Sequence, residues 1–378
     1  MNYNNLYKSD VSEEKMEHYD YLIVGAGFSG AVLAEKLSAL GKKVLVIDKR
    51  SHIGGNCYDY YDSAGVLVHK YGPHYFRTNF PEVKSYLDNF TEWLPQKFKV
   101  MASVNGKLYP LPINRTTLNL FFNINLKSDE EARNFLDSIK EKIEKPGNAE
   151  EQVLALAGKD IYEAFFKNYT IKQWGIHPKE LDASVTARIP IRTNEEDSYV
   201  NDNFQAMPKE GYTKIFEGML KNIKVMLNTD FTEIKDKIKY DKLIYTGPID
   251  SYFNYKYGKM PYRSTKFEFE THDKEFFQDF VQVNYPNDFD FTRILEIKHV
   301  TKQKHPKTTI VKEFPCSDGE PFYPVPNLKN QELYEKYKKE AEKLENIYFI
   351  GRLAQYRYLN MDQVIKNALE LFEKIKDK

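Results

Sequence analysis

Four short runs of consecutive apolar residues are the strongest pattern along the chain, and each predicts a strand buried on both faces. They lie at residues 21–24, 44–47, 243–245 and 348–350. Between the first two runs, Leu33, Leu37 and Leu40 recur on one helical stripe, and Gly41 is suited to end that helix. The opening segment is therefore one β-α-β unit, and the later runs predict a parallel sheet built from separated segments.

Helical and alternating patterns fill the stretches between these runs. Residues 115–176 have helical periodicity, and Gly158 is expected to end one of the helices. Residues 186–240 and 262–325 alternate apolar and polar positions in short runs, which is typical of antiparallel sheet. The predicted fold class is α/β, in which a Rossmann-like nucleotide-binding domain carries an inserted helical domain and an antiparallel β-sheet domain.

Charge and composition narrow the class of protein. The 378 residues include 55 Lys and Arg against 55 Asp and Glu, so the formal charge is zero, which argues against a general nucleic-acid binder. The two cysteines, Cys57 and Cys316, exclude a disulfide scaffold and fit a reducing compartment. No apolar stretch resembles a signal peptide or a membrane span, so we expect a cytoplasmic protein. The 28 tyrosines exceed the needs of a core, and many hydroxyls are expected at a polar site.

A glycine motif, Gly25-Ala26-Gly27-Phe28-Ser29-Gly30, joins the first strand to its helix. Gly25 permits a tight turn, Gly27 lets the backbone approach a pyrophosphate, and Gly30 lets the helix pack on the strand. The free N–H groups at the helix N-terminus would face the phosphates. Asp48, at the end of the second strand, is placed to accept hydrogen bonds from ribose hydroxyls. These features predict a dinucleotide site.

Two further glycine-containing segments distinguish between the dinucleotides. Gly54 and Gly55 follow the second strand, and Gly351 and Arg352 precede the last helix. Each pair lets the backbone approach a ligand closely. An extended cofactor that contacts three separated segments suits FAD better than NAD, so we predict FAD.

Arginines and tyrosines also cluster near turn residues, in segments around residues 169–175, 188–192, 262–264, 291–293, 321–324 and 351–358. Fixed guanidinium charge and directed hydroxyl donors are what a diphosphate needs. Each of these arginines taken alone is more typical of a surface residue or a salt-bridge partner, and each tyrosine alone is more typical of the core. The histidines are scattered and the cysteines are far apart, so no metal site is predicted.

Taken together, these segments resemble the UDP-galactopyranose mutase family of bacterial flavoenzymes. The matching stretches run in family order at residues 21–30, 43–56, 69–78, 169–175, 188–192, 199–208, 211–216, 245–250, 293, 323–325 and 351–362. The resemblance implies non-covalent FAD that is active when reduced, and interconversion of the pyranose and furanose forms of a nucleotide sugar through an adduct at flavin N5. It also implies an electron donor, a homodimer and a place in cell-surface polysaccharide synthesis.

The resemblance assigns roles to single residues. Arg188, on a mobile loop at about residues 176–192, and Arg293 would clasp the diphosphate, and His74 would lie beside the reactive edge of the flavin. The other implied substrate contacts are Phe165, Tyr169, Trp174, Tyr199, Arg263, Tyr323, Tyr358, Arg77 and Asn360. The predicted cofactor contacts are Gly25, Gly27, Phe28, Ser29, Gly30, Asp48, Lys49, Gly55, Asn56, His74, Arg352 and Met361.

Two positions depart from the common family pattern. Arg77 stands where a histidine is usual, and Asn360 where an aspartate is usual. Both lie in segments that form the site, so the identity of the substrate sugar stays open. UDP-galactose is the first expectation, and UDP-N-acetylgalactosamine or a dTDP-6-deoxyhexose such as dTDP-fucopyranose are alternatives. An FAD oxidoreductase and a non-enzymatic escort protein on the same fold are the rival classes.

The predicted domains follow from these assignments. A flexible extension occupies residues 1–18. The FAD-binding domain is discontinuous, at 19–96, 208–261 and 340–378. The helical domain spans 115–185, with the mobile loop at its end, and the antiparallel sheet substrate domain comprises 97–114, 186–207 and 262–339.

Overall fold

The computed structural model describes residues 17–377, and the strands below are numbered in chain order. They are β1 (His18–Val24), β2 (Val44–Ile47), β3 (Asp59–Tyr61), β4 (Leu67–His69), β5 (Phe76–Thr78), β6 (Trp93–Pro95), β7 (Val100–Val104), β8 (Lys107–Leu111), β9 (Phe204–Pro208), β10 (Lys224–Met226), β11 (Lys239–Tyr245), β12 (Tyr262–His272), β13 (Gln282–Asn284), β14 (Arg293–Leu295), β15 (Thr308–Cys316), β16 (Tyr323–Pro324) and β17 (Ile347–Phe349).

The helices are numbered in the same way. They are α1 (Phe28–Ala39), α2 (Pro81–Leu87), α3 (Arg115–Phe122), α4 (Asp129–Ile139), α5 (Ala149–Ile161), α6 (Asn168–Trp174), α7 (Ser184–Ala187), α8 (Tyr212–Met219), α9 (Phe231–Ile234), α10 (Ile249–Tyr252), α11 (Lys298–Thr301), α12 (Leu328–Ala341) and α13 (Met361–Ile375). A π-helical turn, Tyr162–Lys167, joins α5 to α6, and 3-10 turns span Gly55–Cys57 and Pro178–Glu180.

A five-stranded parallel sheet contains the four apolar runs. Its order is β10-β2-β1-β11-β17, and every neighbouring pair is parallel. Helices α1 and α13 pack against each other, and their buried side chains, such as Leu37 and Phe372, join the core of this sheet. Apolar residues on both sides of a parallel strand are buried in this way, which explains the unbroken runs. The prediction of a Rossmann-like sheet from separated segments is confirmed.

A seven-stranded sheet forms the second large layer. Its order is β16-β12-β15-β14-β13-β7-β8, and the pairs are antiparallel except for β13 with β7. The longest ladder pairs β12 with β15 over nine residue pairs, from Ser264↔Cys316 to His272↔Thr308. The predicted antiparallel sheet is thus confirmed for residues 262–325.

Residues 186–240 follow the expected antiparallel pattern only in part. Strand β9 pairs antiparallel with β5 and β6 in a separate three-stranded sheet, whereas β10 is the parallel edge strand beside β2. An edge strand alternates between exposed and buried positions, as Lys224 and Val225 do, because one side of it faces solvent. Alternation alone therefore could not distinguish it from an antiparallel strand.

Helices α3 to α5 and the π-helical turn share one core with strands β7 and β8, to which Leu118, Ala132 and Ile161 contribute. Gly158 interrupts the helical conformation with φ +77°, as predicted. A Cβ at this position would lie 2.3 Å from the carbonyl oxygen of Ile139, so α4 passes directly against the break. Apart from residues 17 and 18, the predicted extension lies outside the described residues, and His18 already pairs in β1. The predicted domain bounds stay a prediction.

Candidate active site

A cavity of about 730 Å³ lies at the carboxyl ends of strands β1, β2 and β11. Its opposite wall is the segment at residues 317–321 that leads from β15 to β16. The predicted cofactor residues on its lining are Gly25, Gly27, Phe28, Ser29, Asp48, Lys49, Gly55, Asn56, His74, Arg352 and Met361. Ligands of open α/β sheets bind at such carboxyl ends, so the topology places the predicted contacts together.

Two glycines of the motif, Gly25 and Gly30, leave no room for a side chain, and Gly27 lies against Gly55. Gly25 adopts φ +105°, and a Cβ there would lie 2.0 Å from Oγ1 of Thr246. Gly27 and Gly55 approach so closely that a Cβ on Gly55 would lie 3.0 Å from the Gly27 Cα atom. Gly30 is absent from the cavity lining. A Cβ on Gly30 would lie 1.9 Å from the Gly25 carbonyl oxygen, so this glycine lets the helix pack.

Asp48 is buried at the end of β2 and faces the cavity. Its carboxylate accepts hydrogen bonds from the backbone N–H groups of Ala26, at 2.8 Å, and Arg50, at 2.9 Å. A carboxylate offers about four acceptor sites, so two remain for ribose hydroxyls. The glycine cradle, the acid and the reach of the cavity from Gly25 to Arg352 all fit FAD.

A second cavity, of about 230 Å³, meets the first at His74, Arg352 and Met361. Its lining includes the predicted substrate residues Arg77, Phe165, Tyr169, Trp174, Arg188, Tyr199, Arg293, Tyr323, Tyr358 and Asn360. The structure thus gathers side chains from α6, β14, β16 and both sides of the loop at residues 176–192 around one space that adjoins the cofactor cavity. Arg263 is the exception, because it lines the larger cavity.

Stacked tyrosines and arginines form one wall of this smaller cavity. The rings of Tyr323 and Tyr358 stack with centroids 5.8 Å apart. The guanidinium carbons of Arg188 and Arg352 lie 4.8 Å and 5.1 Å from the centroid of the Tyr358 ring. Burial raises the pKa of Tyr358, but Arg188 and Arg352 more than offset this and lower it to about 8. The wall is therefore strongly cationic.

Arg293 supplies the third cation, from strand β14. Its Nε donates to Oε2 of the buried Glu313 at 2.7 Å, which fixes the guanidinium plane. Burial lowers the pKa of Arg293, but the charge of Glu313 more than offsets burial, and the net pKa lies above the usual range. Arg293 therefore stays charged, and its two Nη groups remain available to an anion.

His74 is neutral at the junction of the two cavities. Burial lowers its pKa to about 3. Its Nδ1 lies 3.0 Å from the Gly72 carbonyl oxygen, which can only accept, so Nδ1 carries the hydrogen. Nε2 is then an unprotonated acceptor. The sequence offered no signal for this tautomer.

The π-helical turn before α6 changes the direction of the helix just ahead of its functional residues. Phe165 in the turn, and Tyr169 and Trp174 in α6, are brought to the smaller cavity. Single π-helical turns occur often at functional sites, since the inserted residue redirects the side chains around it. Nothing in the sequence pattern predicted this turn.

The two departures from the family pattern lie on one wall of the smaller cavity. Arg77 pairs with Asp202 at 2.5 Å, so its charge is partly compensated. Asn360 caps α13: its side chain accepts from the backbone of Gln363, whose side chain accepts from the Asn360 N–H. Arg77 therefore reaches the cavity with one nitrogen already bound.

Sequence reasoning missed two buried amides on β13. Gln282 donates from Nε2 to Oδ1 of Asn284 at 2.8 Å, and both residues line the smaller cavity. Their strand has three residues and no motif, so the only available signal was a pair of polar residues, two positions apart, in an apolar setting.

The fold and the joined cavities define a flavoenzyme with a separate site for an anionic substrate. A family model described as UDP-galactopyranose mutase matches residues 164–358, and one described as an NAD(P)-binding Rossmann-like domain matches residues 23–90. The chain belongs to the UDP-galactopyranose mutase family. It is therefore an FAD-dependent isomerase that interconverts ring forms of a nucleotide sugar.

Three relatives show how far the similarity extends. A probable UDP-galactopyranose mutase from Klebsiella pneumoniae is 41% identical over 363 residues, which is 94% of each chain. A dTDP-fucopyranose mutase from Escherichia coli is 38% identical over 362 residues, covering 92% of this chain and 96% of that one. The crystal structure of a reduced UDP-galactopyranose mutase matches with a TM-score of 0.78 at 19% identity, over 95% of this chain and 96% of that one.

Within residues 17–377, no helix has the length and apolar character needed to cross a lipid bilayer. The same part of the chain holds no group of three or more side chains arranged to bind a metal ion.

Proposed function

We propose that this enzyme interconverts UDP-galactopyranose and UDP-galactofuranose. The observation that carries the proposal is the convergence of Arg188, Arg293 and the stacked pair Tyr323 and Tyr358 on a cavity that opens into the cofactor cavity. Two guanidinium groups and two phenols supply the charge and the donors that a nucleoside diphosphate requires.

In this proposal the protein binds the diphosphate and stabilises its charge. When bound and reduced, FAD supplies an electron-rich nitrogen that can bond to the anomeric carbon of the sugar. As the bond between that carbon and the diphosphate oxygen breaks, negative charge grows on the departing group. Arg188 and Arg293 hold that charge, because fixed cations in a partly dry cavity need no rearrangement as the charge develops. Arg188, on the loop at residues 176–192, also covers the cavity.

The remaining residues orient the substrate. Tyr169 and Phe165 offer faces on which the uracil ring can stack, and Trp174 and Tyr199 border the sugar. Gln282 and Asn284 offer amide groups for hydroxyls or the base. Neutral His74 would offer Nε2 as a hydrogen-bond acceptor to the bound cofactor, and at neutral pH it holds no extra proton to donate, since its pKa is about 3. No general base is required, because the sugar's own hydroxyl closes the new ring.

A second substrate is favoured by a specific relative. The dTDP-fucopyranose mutase is nearly as similar to this chain as the UDP-galactopyranose mutase. Arg77, which lines the cavity and is held by Asp202, also provides donor groups for an N-acetyl substituent. UDP-galactose, UDP-N-acetylgalactosamine and dTDP-fucose therefore form the test panel.

The test incubates the dithionite-reduced holoprotein with each nucleotide sugar and separates the ring forms by chromatography. We expect UDP-galactofuranose from UDP-galactopyranose, at a higher kcat/KM than for the other donors. Furanose product from dTDP-fucose at higher kcat/KM would replace the proposed substrate, and no furanose product from any donor would refute the proposal.

We also propose a cytoplasmic homodimer, a cellular reductant that keeps the flavin reduced, and a product used for cell-surface polysaccharide. The support is the resemblance to bacterial enzymes of the family and a chain with neutral net charge and two unpaired cysteines. Light scattering of the purified holoprotein measures the mass, and a monomer at micromolar concentration would contradict the dimer.

A further inference from the structure

Arg263 uses all of its guanidinium nitrogens on protein atoms. It stands in β12, is 7% exposed, and donates from Nε to the carbonyl oxygen of Gln173 at 3.0 Å. Nη2 donates to the carbonyl oxygen of Lys172 at 3.1 Å, and Nη1 to Oγ of Ser317 at 2.5 Å. The guanidinium therefore bridges the end of α6 and the segment that walls the cofactor cavity.

The carbonyls that Arg263 binds are those that a helix leaves unpaired. The last four carbonyls of a helix have no partner within it, and they carry the negative end of the helix dipole. Burial lowers the pKa of Arg263. Its three guanidinium nitrogens donate to two backbone carbonyls and a hydroxyl, not to a carboxylate. The helix end is thus what compensates this buried charge.

Gly175 fits the same arrangement. It follows α6 with φ +72°, the left-handed conformation that ends many helices. A Cβ on Gly175 would lie 2.7 Å from Nη1 and 3.0 Å from Cζ of Arg263, so the guanidinium packs directly on this glycine. A side chain at residue 175 would displace the arginine as well as strain the backbone.

The bridge joins two walls of the smaller cavity. Helix α6 carries Tyr169 and Trp174. On the other side, Arg263 is the cross-strand partner of Tyr323. The Trp174 and Tyr323 rings meet edge to face, with centroids 6.4 Å apart. One buried guanidinium therefore sets the position of α6 relative to the strand that contributes a phosphate-facing tyrosine.

We propose that Arg263 is a positioning residue, which holds Trp174 and Tyr169 against Tyr323 by capping the carboxyl end of α6, and does not itself bind the substrate. This differs from the direct sugar contact that the family resemblance implies for it. The proposal rests on the proposed function only for its kinetic readout, since the position of Trp174 can be measured without any sugar.

The experiment uses Trp174 as its own reporter. The chain has two tryptophans, and Trp93→Phe leaves Trp174 as the only one. This background change removes the hydrogen bond from Trp93 Nε1 to Asp88 Oδ1 and keeps an aromatic ring against Phe76 and Phe204. In this background we compare Arg263→Lys, Arg263→Met and Gly175→Ala for Trp174 emission in the substrate-free holoprotein, for FAD content, and for kcat and KM. Arg115→Met is the matched control, because it removes a guanidinium that pairs with Asp129 and Glu195 and lines neither cavity.

We expect both Arg263 variants and Gly175→Ala to shift the Trp174 emission in the same direction and to lower kcat about tenfold or more, with FAD retained. We expect Arg263→Lys to restore neither the Trp174 emission nor kcat, although it keeps the positive charge. One ammonium cannot reproduce the planar geometry with which the guanidinium binds both carbonyls and Ser317. The Arg115→Met control should leave the Trp174 emission unchanged and change kcat less than about threefold.

Three results would overturn the proposal. One is an unchanged Trp174 emission in all three variants. Another is near-normal kcat in Arg263→Lys with a raised KM in Arg263→Met, which marks a direct charge contact with the diphosphate. The third is loss of FAD from Arg263→Lys, which assigns the residue to the cofactor. If no nucleotide sugar is turned over, the proposed function fails, and the emission comparison still decides the role of Arg263.

Discussion

At the scale of single residues, protein partners hold the arginines of the smaller cavity in place and leave some of their donor groups available to a ligand. Glu313 binds Nε of Arg293, and no acceptor within residues 17–377 binds its two Nη groups. Arg352 donates from Nη2 to the carbonyl oxygen of Leu359 at 2.7 Å, yet still faces the Tyr358 ring. A diphosphate therefore meets cations that are already oriented, and binding costs little side-chain entropy.

We predict that Arg188→Ala and Arg293→Ala each lower turnover about a hundredfold or more, because each removes a fixed charge from the developing anion. Flavin absorbance per protein should stay at the wild-type value, since neither residue lines the cofactor cavity. Steady-state turnover of the reduced enzyme measures the effect. Arg115→Ala is the control, because Arg115 pairs with Asp129 and Glu195 and lines neither cavity. Turnover near normal in both site variants would refute the assignment.

Tyr358 should give substrate binding a pH dependence. With a pKa of about 8, its phenol is neutral below that pH, donates to phosphate, and ionises above it. The phenolate neutralises part of the charge of Arg188 and repels the diphosphate, so KM should rise as pH increases through about 8 and be flat below about pH 7. Tyr358→Phe cannot ionise, and its KM should lose this rise. The same rise in the phenylalanine variant would assign the titration to another group.

The roles of some site residues could be predicted from the sequence and those of others could not, for physical reasons. The roles of Gly25, Gly27 and Asp48 follow from local spacing, because a strand, a turn and a helix fix their geometry. The two carbonyl partners of Arg263 lie 90 and 91 residues away in the chain, and backbone carbonyls leave no mark on a sequence. Buried amides such as Asn284 could not be distinguished from ordinary loop residues, since their strand is too short to show a period.

At the scale of secondary structure, the ends of elements carry the chemistry. The N-termini of α1 and α13 border the cofactor cavity through Phe28 and Met361, and the carboxyl end of α6 carries Trp174. Long buried strands and amphipathic helices could be predicted, because burial imposes a period on them. The π-helical turn at Tyr162–Lys167 and the edge strand β10 could not, since tertiary contacts determine both.

The close contact between α1 and the glycine turn predicts that a side chain at Gly30 weakens flavin binding. In Gly30→Ala the new Cβ would lie 1.9 Å from the Gly25 carbonyl oxygen, so the helix or the turn must move. We expect the bound flavin per protein to fall at least twofold and the melting temperature to drop by several degrees. Gly41→Ala is the matched control, because its Cβ meets no atom within 4 Å and only the φ of +79° costs about 1 kcal/mol. Full flavin content in Gly30→Ala would refute this account.

At the scale of the whole molecule, the cofactor cavity lies between the two large sheets, so cofactor and fold stabilise each other. The chain passes between the layers several times. The contacts of Thr309 Oγ1 with Asp62 Oδ2 and of Leu67 N–H with Gln303 Oε1 tie the β3–β4 hairpin to β15 and to the segment after α11. A ligand that binds only the folded state raises its stability by mass action. Retention of FAD therefore depends on contacts that span the mouth of the cavity.

Arg50 and Glu320 form such a contact. Arg50 donates to Glu320 Oε2 from Nε at 2.9 Å and from Nη2 at 2.6 Å, while its guanidinium lies 4.3 Å from the Tyr71 ring centroid. Burial raises the pKa of Glu320, but Arg50 more than offsets it, so the net pKa is lowered. Both side chains line the cofactor cavity, one from each of its walls.

We predict that Arg50→Glu and Glu320→Arg each speed FAD release about tenfold, because each places like charges across the mouth of the cavity. The double variant restores opposite charges and should release FAD more slowly than either single variant. Release is measured from the rise of flavin fluorescence after dilution into an excess of competing apoprotein. A partly exposed pair has a coupling energy of about 1 kcal/mol, so high salt should narrow the differences among all four proteins. If the effects of the two substitutions simply add in the double variant, the pair does not hold the cavity closed, and retention of FAD must come from the glycine cradle alone.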